Sequence, residues 1–341
     1  MTNFIECIAP SNIALVKYWG KKDIQIPQNP SLSFTLSESV TRTKVLFEKG
    51  KGNTEFLFEG KHAPNFETKI STFRTLWENK YPSLKNYDLK IESQNSFPHS
   101  AGIASSASSM ASLSLCFSEL LKNEGILDLD KNSFLENASS FARLGSGSAC
   151  RSLYGGVVTW GQWREGTSDE YATEIPELSK KWSSWGDAIL LVSSKEKPVS
   201  SRQGHALMMD HPYAESRFSN ARNRLTELYK VMLEEDLLKF CEIVETEALE
   251  LHGLMMNSNP SFILMKPESL AIIEKVRAFR IETKIPACFT LDAGPNIHLL
   301  YPLEKKAEIK DFVNNELSPL LEEGKWIDDK VGMGPEVFGA K

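Results

Sequence analysis

The segment from Pro98 to Ser109 is the part of the sequence that most restricts how this chain can fold. It contains Gly102, three alanines and five serines. The alternating stretch that begins at Leu89 predicts a half-buried strand before this segment, and apolar residues at helical spacing predict a helix that starts within it. The sequence therefore predicts a strand, a loop of small residues and a helix in direct succession.

This loop has the composition of an anion-binding site. The free N–H groups and the positive dipole end of a helix start favour a phosphate, and serine hydroxyls can donate to phosphate oxygens or bind Mg²⁺. Small residues also allow a helix start to pack tightly against a neighbour, so both interpretations are open for the loop alone. The sequence contains no Gly-x-x-x-x-Gly-Lys-Ser/Thr motif, which excludes an ordinary P-loop.

A second small-residue loop, Arg143–Ser152, lies between a predicted helix over 131–143 and a predicted strand over 155–160. Gly147 lets the backbone come close to a ligand. The hydrogen-bond donors of this loop are Ser146, Ser148 and Arg151. A flexible linker can have a similar composition, but the apolar elements on both sides argue against one. Two loops of this kind strengthen the prediction of an anionic ligand.

A third candidate segment places Tyr18 and Trp19 between Lys17 and Lys21. Flat aromatic faces beside fixed cations suit a phosphorylated or carboxylated small molecule. Taken alone, this segment is better explained as a strand whose lysines are solvated at its rim.

Asp292 is the candidate catalytic carboxylate. An apolar strand ends at this residue, the Gly294-Pro295 pair turns the chain, and a second strand leaves over 297–301. A strand end is a common place for a catalytic group, and a turn-forming aspartate is the structural alternative. Ser193–Arg202 is a further turn rich in hydroxyls and cations.

Composition restricts the class of protein. The chain has 341 residues, of which 41% are hydrophobic and 25% charged, as in ordinary globular proteins. The formal net charge of −6 argues against broad nucleic-acid binding. The five dispersed cysteines form no Cys-x-x-Cys pair or zinc cluster, and neither a signal-peptide pattern nor a membrane-length apolar run is present. We therefore expect a reduced, cytoplasmic protein.

Several other elements are predicted from local patterns. A first strand over 4–10 is expected to end at Pro10, and strands over 41–47 and 54–58 are expected to form a hairpin. A helix is predicted over 66–80, and 164–186 is predicted to be a surface excursion. A buried strand over 188–192 precedes a mainly helical region. We predict two domains, over residues 1–189 and 190–341.

These segments together resemble the GHMP kinase superfamily and, within it, the mevalonate diphosphate decarboxylase family. The similarity keeps the family's order of motifs and extends from residue 8 to about residue 300. The blocks that carry it are Asn12–Lys21, Asn29–Ser33, Phe97–Ser108, Ala142–Ser152, Val199–Arg202 and Asp292–Asn296. The Lys-Tyr-Trp-Gly-Lys and Gly-Ser-Gly-Ser-Ala-Cys-Arg-Ser sequences are the most specific, because general kinases of the superfamily lack them.

The resemblance implies an α+β fold, with an N-terminal domain like ribosomal protein S5 domain 2 and a C-terminal ferredoxin-like domain. It also implies an enzyme that uses ATP and Mg²⁺. Such an enzyme phosphorylates the 3-hydroxyl of mevalonate 5-diphosphate and then releases phosphate and CO₂ to give isopentenyl diphosphate, in the mevalonate pathway of isoprenoid biosynthesis. Family members are commonly homodimers.

The resemblance further implies roles for individual residues. Asp292 would take or orient the proton of the 3-hydroxyl, Lys17 would neutralise charge beside it, and Arg151 would hold the substrate carboxylate. Asn12 would order Lys17 and the substrate. The residues implied to bind the diphosphate are Tyr18, Lys21, Ser146, Gly147, Ser148 and Arg202, with Ser201 as a helper. Those implied to bind ATP are Ser100, Gly102, Ser105, Ser106 and Ser108, with Ser106 the candidate contact to Mg²⁺.

The sequence departs from the family pattern at two places. His99-Ser100 stands in the ATP loop where small uncharged residues are more frequent, and Cys288-Phe289 precedes the aspartate where Ala-Tyr is usual. Alternative functions are a mevalonate 5-phosphate decarboxylase, a mevalonate 3-kinase and a non-catalytic regulator. Retention of Lys17, Arg151 and Asp292 favours complete decarboxylation over a kinase that stops after phosphorylation. Retention of Tyr18, Lys21 and Arg202 favours the diphosphate over the monophosphate. A non-catalytic relative usually loses a catalytic group or has a distorted ATP loop, and this sequence shows neither change.

Overall fold

The computed structural model describes residues 3–98, 103–195 and 201–339, without the side chains of Ser201 and Arg202. The first part of the chain contains β1 (Asn3–Val16), β2 (Lys21–Lys22), β3 (Ile26–Pro27), β4 (Ser31–Lys49), β5 (Thr54–Phe58), β6 (Lys61–His62), α1 (Pro64–Lys80), β7 (Tyr87–Asn95), α2 (Ser105–Asn123), α3 (Lys131–Gly145), β8 (Val157–Trp160), β9 (Ala172–Glu174) and α4 (Pro176–Trp182). The second part contains β10 (Trp185–Leu190), α5 (Ser201–Ala206), α6 (Ala214–Glu234), α7 (Leu237–Met256), α8 (Pro267–Thr283), β11 (Cys288–Thr290), β12 (Ile297–Pro302), α9 (Lys306–Phe312), β13 (Trp326–Lys330) and β14 (Glu336–Gly339).

The first sheet is organised around the long antiparallel pair β1 and β4. Its strand order is β14-β1-β4-β7-β5-β6, and β8 and β9 extend it from β4. The first half of β1 alternates, with Ile5, Cys7 and Ala9 buried under the helices, whereas its second half is buried throughout. The C-terminal half of β1 therefore leads the chain into the cleft between the two sheets.

Two predicted features of this sheet are wrong. Pro10 does not end the first strand, because a register shift between Pro10 and Asn12 lets β1 continue to Val16. Strands β4 and β5 do not form a hairpin, because β7 lies between them. The side chain of Asp88 accepts hydrogen bonds from the backbone N–H groups of Lys51 and Asn53, which holds the connection across the start of β7.

Three helices cover one face of the first sheet. The predictions of helices over 66–80 and 131–143 are confirmed by α1 and α3. The Asp130 carboxylate caps α3 by accepting from the backbone N–H groups of Asn132 and Ser133. Trp77 of α1 stacks on Phe141 of α3 with ring centroids 3.9 Å apart, so the helices share the core of this half.

The second sheet has the order β11-β12-β10-β13 and is antiparallel throughout. Helices α7 and α8 pack against β11. The predicted strand over 188–192 is confirmed, although it spans Trp185–Leu190. The predicted pair of strands around Asp292 is also confirmed, since β11 and β12 are hydrogen-bonded neighbours with Asp292 in their connection.

The segment 164–186 was predicted to lie on the surface, and this prediction is wrong. Trp182 is 1% exposed and packs against Phe240 of α7 with ring centroids 4.4 Å apart. Its indole N–H donates to the carbonyl of Met232 at 3.0 Å. Because the residues around Trp182 in the sequence are polar, its burial could not be predicted from the local pattern.

One apolar cluster joins the two halves of the chain. Ile13 and Phe34 of the first sheet belong to the same buried cluster as Trp185 of the second sheet and Leu225 of α6. Strand β14 also returns to the first sheet, where Gly339 pairs with Ile5. The division after residue 189 falls inside β10 and stays a prediction. Among the described helices, none has the length and apolarity that a membrane crossing requires.

Candidate active site

A cavity of about 310 Å³ opens between the two sheets and is bordered by residues from both. Several predicted site residues meet on its wall, although they are far apart in the sequence. The residues that line it are Ala14, Lys17, Tyr18, Trp19, Lys21, Gln25, Lys69, Ala104, Ser106, Gly145, Ser146, Gly147, Ser148, Arg151, His205, Leu251, Asp292 and Ala293.

Lys17 and Asp292 form an ion pair on this wall. Lys17 follows the last residue of β1, and its Nζ lies 2.9 Å from Asp292 Oδ1. The Lys17 side chain is 2% exposed, whereas the Asp292 side chain is 28% exposed and open to the cavity. Burial lowers the pKa of Lys17, and the negative charges of Asp292 and of Glu247 on α7 oppose that effect. The interpretation of Lys17 as a solvated rim residue is therefore wrong.

The backbone around Asp292 is also held in place. The Gly294 N–H donates to the carbonyl of Asp292 at 2.7 Å, and His252 Nε2 lies 3.1 Å from the same carbonyl. These contacts leave the carboxylate of Asp292 facing Lys17 and the cavity.

Arg151 is a buried cation that reaches the cavity from a 3₁₀ helix over Gly147–Leu153. Its Nε and one terminal nitrogen donate to Asn12 Oδ1 at 3.2 and 3.1 Å, and its other terminal nitrogen donates to Ser31 Oγ at 2.6 Å. Burial lowers the pKa of Arg151 below its ordinary value. Asn12 lies behind Arg151 and orients it, so its contacts are with this cation rather than with Lys17.

Tyr18 and Gly147 form another part of the cavity wall. A β-carbon on Gly147 would lie 2.7 Å from the ring of Tyr18, which explains why the loop requires glycine at this position. The Tyr18 ring packs on Trp160 with centroids 4.6 Å apart. Tyr18 Oη donates to the side-chain oxygen of Gln25 at 3.3 Å, and Lys21 Nζ donates to the same oxygen at 3.4 Å. Burial raises the pKa of Tyr18, so its hydroxyl is neutral.

The start of α2 faces the second small-residue loop. Ser106 Oγ lies 3.1 Å from Ser146 Oγ, which brings the two predicted anion loops together. Ser108 is buried instead, with its Oγ 2.6 Å from Thr41 Oγ1, and it is not among the described residues on the cavity wall. Ser11 Oγ donates to the carbonyl of Ile103 at 2.6 Å and fixes the described end of the loop.

A smaller cavity of about 60 Å³ adjoins this helix start and shares Ser106 and Lys69 with the main cavity. Ser105 lines it, together with aromatic side chains. These aromatic residues are Phe56, Phe58 and Phe66.

The predicted nucleotide and diphosphate residues are not all described. Ser100 and Gly102 lie outside the described ranges, as do His99 and the side chains of Ser201 and Arg202. Their predicted roles therefore stay predictions.

Lys69 and His205 also lie on the wall, and neither was predicted from the sequence as a site residue. Lys69 is on α1, where its position in an amphipathic helix is typical of an ordinary surface lysine. His205 is on α5, three residues after Arg202, and this helical spacing was the available signal. Its Nδ1 accepts the N–H of Gly20 at 3.0 Å. Burial and the charge of Lys21 lower the pKa of His205 to about 3, so the ring is neutral and carries its proton on Nε2.

The described residues do not include a group of three or more His, Cys, Asp or Glu side chains able to hold a metal ion. The donors on the cavity wall are instead one carboxylate, several hydroxyls and several cations. This set suits an anionic ligand that brings its own metal ion, because Mg²⁺ bound to a nucleotide takes many of its ligands from phosphate and water.

Comparison with known proteins gives the same family for both halves of the chain. A family model described as the diphosphomevalonate decarboxylase-like N-terminal domain matches residues 9–172. A second, described as the mevalonate 5-diphosphate decarboxylase C-terminal domain, matches residues 188–334.

Individual relatives agree with these matches. The diphosphomevalonate decarboxylase of Aspergillus fumigatus is 34% identical over 323 residues, which cover 88% of this chain and 77% of the relative. The mevalonate diphosphate decarboxylase from Staphylococcus aureus has a TM-score of 0.85 at 30% identity, over 99% of this chain and 98% of its own. A protein abbreviated MDDEF, solved in complex with MVAPP, AMPPCP and magnesium, has a TM-score of 0.86 at 31% identity over the whole of both chains.

The two sheets, the cation-lined cleft and these structural relatives define a protein with the GHMP kinase fold, which confirms the expected α+β class. Within that class, the chain belongs to the diphosphomevalonate decarboxylase family. The resemblance inferred from the sequence motifs is thereby confirmed.

Proposed function

We propose that this chain catalyses the ATP-dependent decarboxylation of mevalonate 5-diphosphate to isopentenyl diphosphate, with ADP, phosphate and CO₂ as the other products. The observation that carries the proposal is the Lys17–Asp292 ion pair beside Arg151 in one cation-lined cavity. Membership of the family supports the reaction, and the MDDEF complex with MVAPP, AMPPCP and magnesium supports the substrate, ATP and Mg²⁺.

Asp292 is the proton acceptor in this proposal. Its side chain lies on the cavity wall and is 28% exposed, while Lys17 Nζ holds Oδ1 at 2.9 Å. A tertiary hydroxyl within hydrogen-bond reach could pass its proton to this carboxylate as the oxygen attacks the terminal phosphoryl group of ATP. The ammonium of Lys17 keeps Asp292 ionised before the transfer and offsets negative charge on the phosphoryl group during it.

Arg151 acts on the second half of the reaction. Its guanidinium is fixed by Asn12 and Ser31, so little reorganisation is needed to bind the substrate carboxylate. When the 3-phosphate leaves, electrons from the breaking bond to CO₂ form the double bond. A buried cation stabilises the departing phosphate, which carries the developing negative charge.

The diphosphate is proposed to bind along the wall formed by both loops. Neutral donors and cations both line this wall, so several phosphate oxygens would find partners at once. The proposed contacts are Tyr18, Lys21, Ser146, Gly147 and Ser148 from the described wall, and Ser201 and Arg202 from the family resemblance. His205 adds a neutral N–H donor to the same wall.

ATP is proposed to enter over the start of α2, with Ser105 and Ser106 near its phosphates and the small aromatic-lined cavity beside its base. Ser100, Gly102 and Ser108 complete the loop expected from the resemblance. Mg²⁺ arrives with the nucleotide and neutralises phosphate charge, and the Ser106 hydroxyl fits it as a ligand.

A homodimer in the cytoplasm is the further proposal from the family resemblance. Light scattering coupled to size-exclusion chromatography tests the oligomeric state, with a mass of twice 38.3 kDa expected. A mass of 38.3 kDa at micromolar concentration would remove the homodimer from the proposal.

The reaction is tested by mixing the purified protein with Mg²⁺, ATP and either mevalonate 5-diphosphate or mevalonate 5-phosphate, while CO₂ and ADP are followed together. Equal CO₂ and ADP with the diphosphate only is the expected result. CO₂ with the monophosphate only would move the substrate, and ADP without CO₂ would indicate a 3-kinase. Silence with both substrates would contradict an enzymatic function.

Asp292→Asn tests the proton acceptor in the same assay. We expect kcat to fall about 10²–10⁴-fold, the usual range for a lost general base, with the affinity for the diphosphate retained. Glu250→Gln is a matched control, because this glutamate lies in the same half of the chain but outside the cavity wall. Near-normal turnover in Asp292→Asn would exclude this residue from catalysis.

A further inference from the structure

The backbone of Lys17 is held from the second half of the chain by a buried ion-pair network. The Lys17 N–H donates to Glu247 Oε1 at 2.8 Å, and a terminal nitrogen of Arg217 donates to the Lys17 carbonyl at 3.0 Å. The side-chain amide of Asn29 donates to the same carbonyl at 2.9 Å. Both backbone polar groups of Lys17 are thus fixed by side chains, and α6 and α7 together with Asn29 set the position of its Cα.

Glu247 is at the centre of this network. Its side chain is fully buried and accepts from Arg217 at 2.5 and 2.9 Å and from Arg224 at close range. Burial alone would raise the pKa of Glu247, but the two arginines and the Lys17 N–H lower it to about 2. The carboxylate is therefore charged at neutral pH.

We propose that Glu247 is a positioning residue for Lys17. It acts behind the cavity wall, where it holds the backbone of Lys17 and places a permanent negative charge near its ammonium group. The inference rests on the proposed function, because it assigns Glu247 to the alignment of the Lys17–Asp292 pair.

The geometry requires a positioning device of this kind. Lys17 comes from the first sheet and Asp292 from the second, so their 2.9 Å contact depends on how the two halves meet. Glu247 and Arg217 belong to the half that carries Asp292, and they bind the Lys17 backbone directly. These contacts fix Lys17 relative to the half of the chain that carries its partner Asp292.

The charge of Glu247 has a further consequence for Lys17. Burial lowers the pKa of Lys17, and Glu247 raises it, so removing the carboxylate must lower it further. The charged groups that act on Lys17 from the surrounding elements are Asp292 after β11, Glu247 on α7, Arg151 in the 3₁₀ helix, Arg217 on α6 and Asp187 on β10. Only a protonated Lys17 can neutralise a phosphoryl group, so activity is lost as pH rises through its pKa.

Glu247→Gln tests the proposal, because it keeps an acceptor for the Lys17 N–H but removes the charge. We expect the alkaline limb of the kcat profile to move to lower pH. We also expect kcat to fall about 10–100-fold, as a misplaced catalytic group does, with KM for the diphosphate nearly unchanged.

Glu250→Gln is the matched control. Glu250 is 21% exposed and accepts from the same two arginines at 3.0 and 2.7 Å, but at the outer side of the network. If Glu247 serves only to neutralise the arginines, both variants lower stability and neither moves the pH profile. If Glu247 positions Lys17, the pH profile and kcat change mainly in Glu247→Gln.

If Glu247→Gln does not fold, Arg224→Gln tests the same effect of the Glu247 charge on Lys17. Arg224 is 14% exposed and bonds to Glu247 and Glu250. Its loss leaves the charge of Glu247 less neutralised, so the alkaline limb should move in the opposite direction, to higher pH.

The titration of Lys17 can be measured without any turnover. Lysines labelled with ¹³C at Cε are titrated by NMR, and the Lys17 signal is assigned by its absence in Lys17→Arg. The midpoint should fall in Glu247→Gln and rise in Arg224→Gln. Unchanged midpoints would overturn the inference, whereas shifted midpoints in an enzyme inactive on the diphosphate would overturn only the proposed function.

Discussion

At the scale of single residues, Asn12 shows how the site fixes a cation before any ligand binds. Its Oδ1 accepts two hydrogen bonds from Arg151, and its Nδ2 donates to Ser152 Oγ at 2.8 Å and to the Ser148 carbonyl at 3.2 Å. Because donors and acceptors surround it on opposite sides, only one orientation of the amide satisfies all of them. Arg151 is therefore presented to the cavity in one geometry.

Asn12→Ala removes this support. Arg151 would keep its hydrogen bond to Ser31 Oγ. It would lose the two hydrogen bonds that its Nε and one terminal nitrogen donate to Asn12 Oδ1, so the guanidinium could rotate away from the substrate carboxylate. We expect kcat/KM to fall about 100-fold, the loss typical of a catalytic group displaced by about 1 Å.

The matched variant for this prediction is Ser152→Ala, which removes the partner of Asn12 on the side away from Arg151. It should retain most of the activity in the same decarboxylation assay. Equal losses in the two variants would contradict a specific role for the Asn12 oxygen.

Some residues of the site could be predicted from the sequence. Others could not, because their role depends on contacts between distant parts of the chain. Lys17, Arg151 and Asp292 stand in motifs of unusual composition. Glu247 is an acidic residue in an amphipathic helix, and its partner Lys17 is 230 positions away in the chain. Local periodicity contains no information about such a contact, which depends on how the two halves dock.

At the scale of elements, Asp329 of β13 links the second sheet to the first. Its Oδ1 accepts from the backbone N–H groups of Ser37 and Glu38 at 2.9 Å each, and its Oδ2 accepts from Ser39 at 2.8 Å. This site on β4 lies between the part that pairs with β8 and the part that pairs with β7. Asp329 is 1% exposed, so these bonds are shielded from water.

Asp329→Ala should lower the free energy of unfolding by about 2–4 kcal/mol, because the backbone N–H groups of Ser37, Glu38 and Ser39, and that of Lys330, lose a charged acceptor. Asp328→Ala is the matched control, since the neighbouring carboxylate is 29% exposed and pairs with Lys306 and Lys310 on the surface. Its loss should cost less than about 1 kcal/mol. Urea unfolding of both variants measures the difference, and equal costs would contradict the role of Asp329.

The errors in the predicted elements have the same origin as the failure to predict the contact between Glu247 and Lys17. A proline usually ends a strand, but the bulge after Pro10 lets β1 continue, because Asn12 and the residues after it resume pairing with β4. The turn residues between β4 and β5 predict a hairpin, yet β7 arrives from later in the chain and takes the place beside β4. In both cases a tertiary neighbour overrides the local pattern.

At the scale of the whole molecule, the apolar cluster shared by the two halves determines how the chain unfolds. Ile13 and Phe34 from the first sheet are packed with Phe240 and Leu225 from the second half, and all four are at most 1% exposed. Unfolding one half alone would expose the facing side of this cluster on the other half. The two halves should therefore unfold in one cooperative transition.

The five cysteines offer a measurement of this cooperativity, because all of them are buried and unpaired. Cys7 and Cys116 belong to the core of the first half, and Cys241 and Cys288 to the shared cluster. Pulse labelling with a thiol reagent across a urea titration, followed by peptide mass spectrometry, gives a midpoint for each cysteine. We expect the midpoints of these last four cysteines, two from each cluster, to coincide.

Phe34→Ala should move all four midpoints to lower urea together, since deleting a buried phenylalanine ring typically costs about 3–5 kcal/mol and this ring of the first sheet packs against Trp185 and Phe240 of the second half. If Cys241 and Cys288 became reactive at lower urea than Cys7 and Cys116, the halves would be separate unfolding units. The Lys17–Asp292 pair would then depend on a docking equilibrium, and turnover would decline with the earlier of the two transitions.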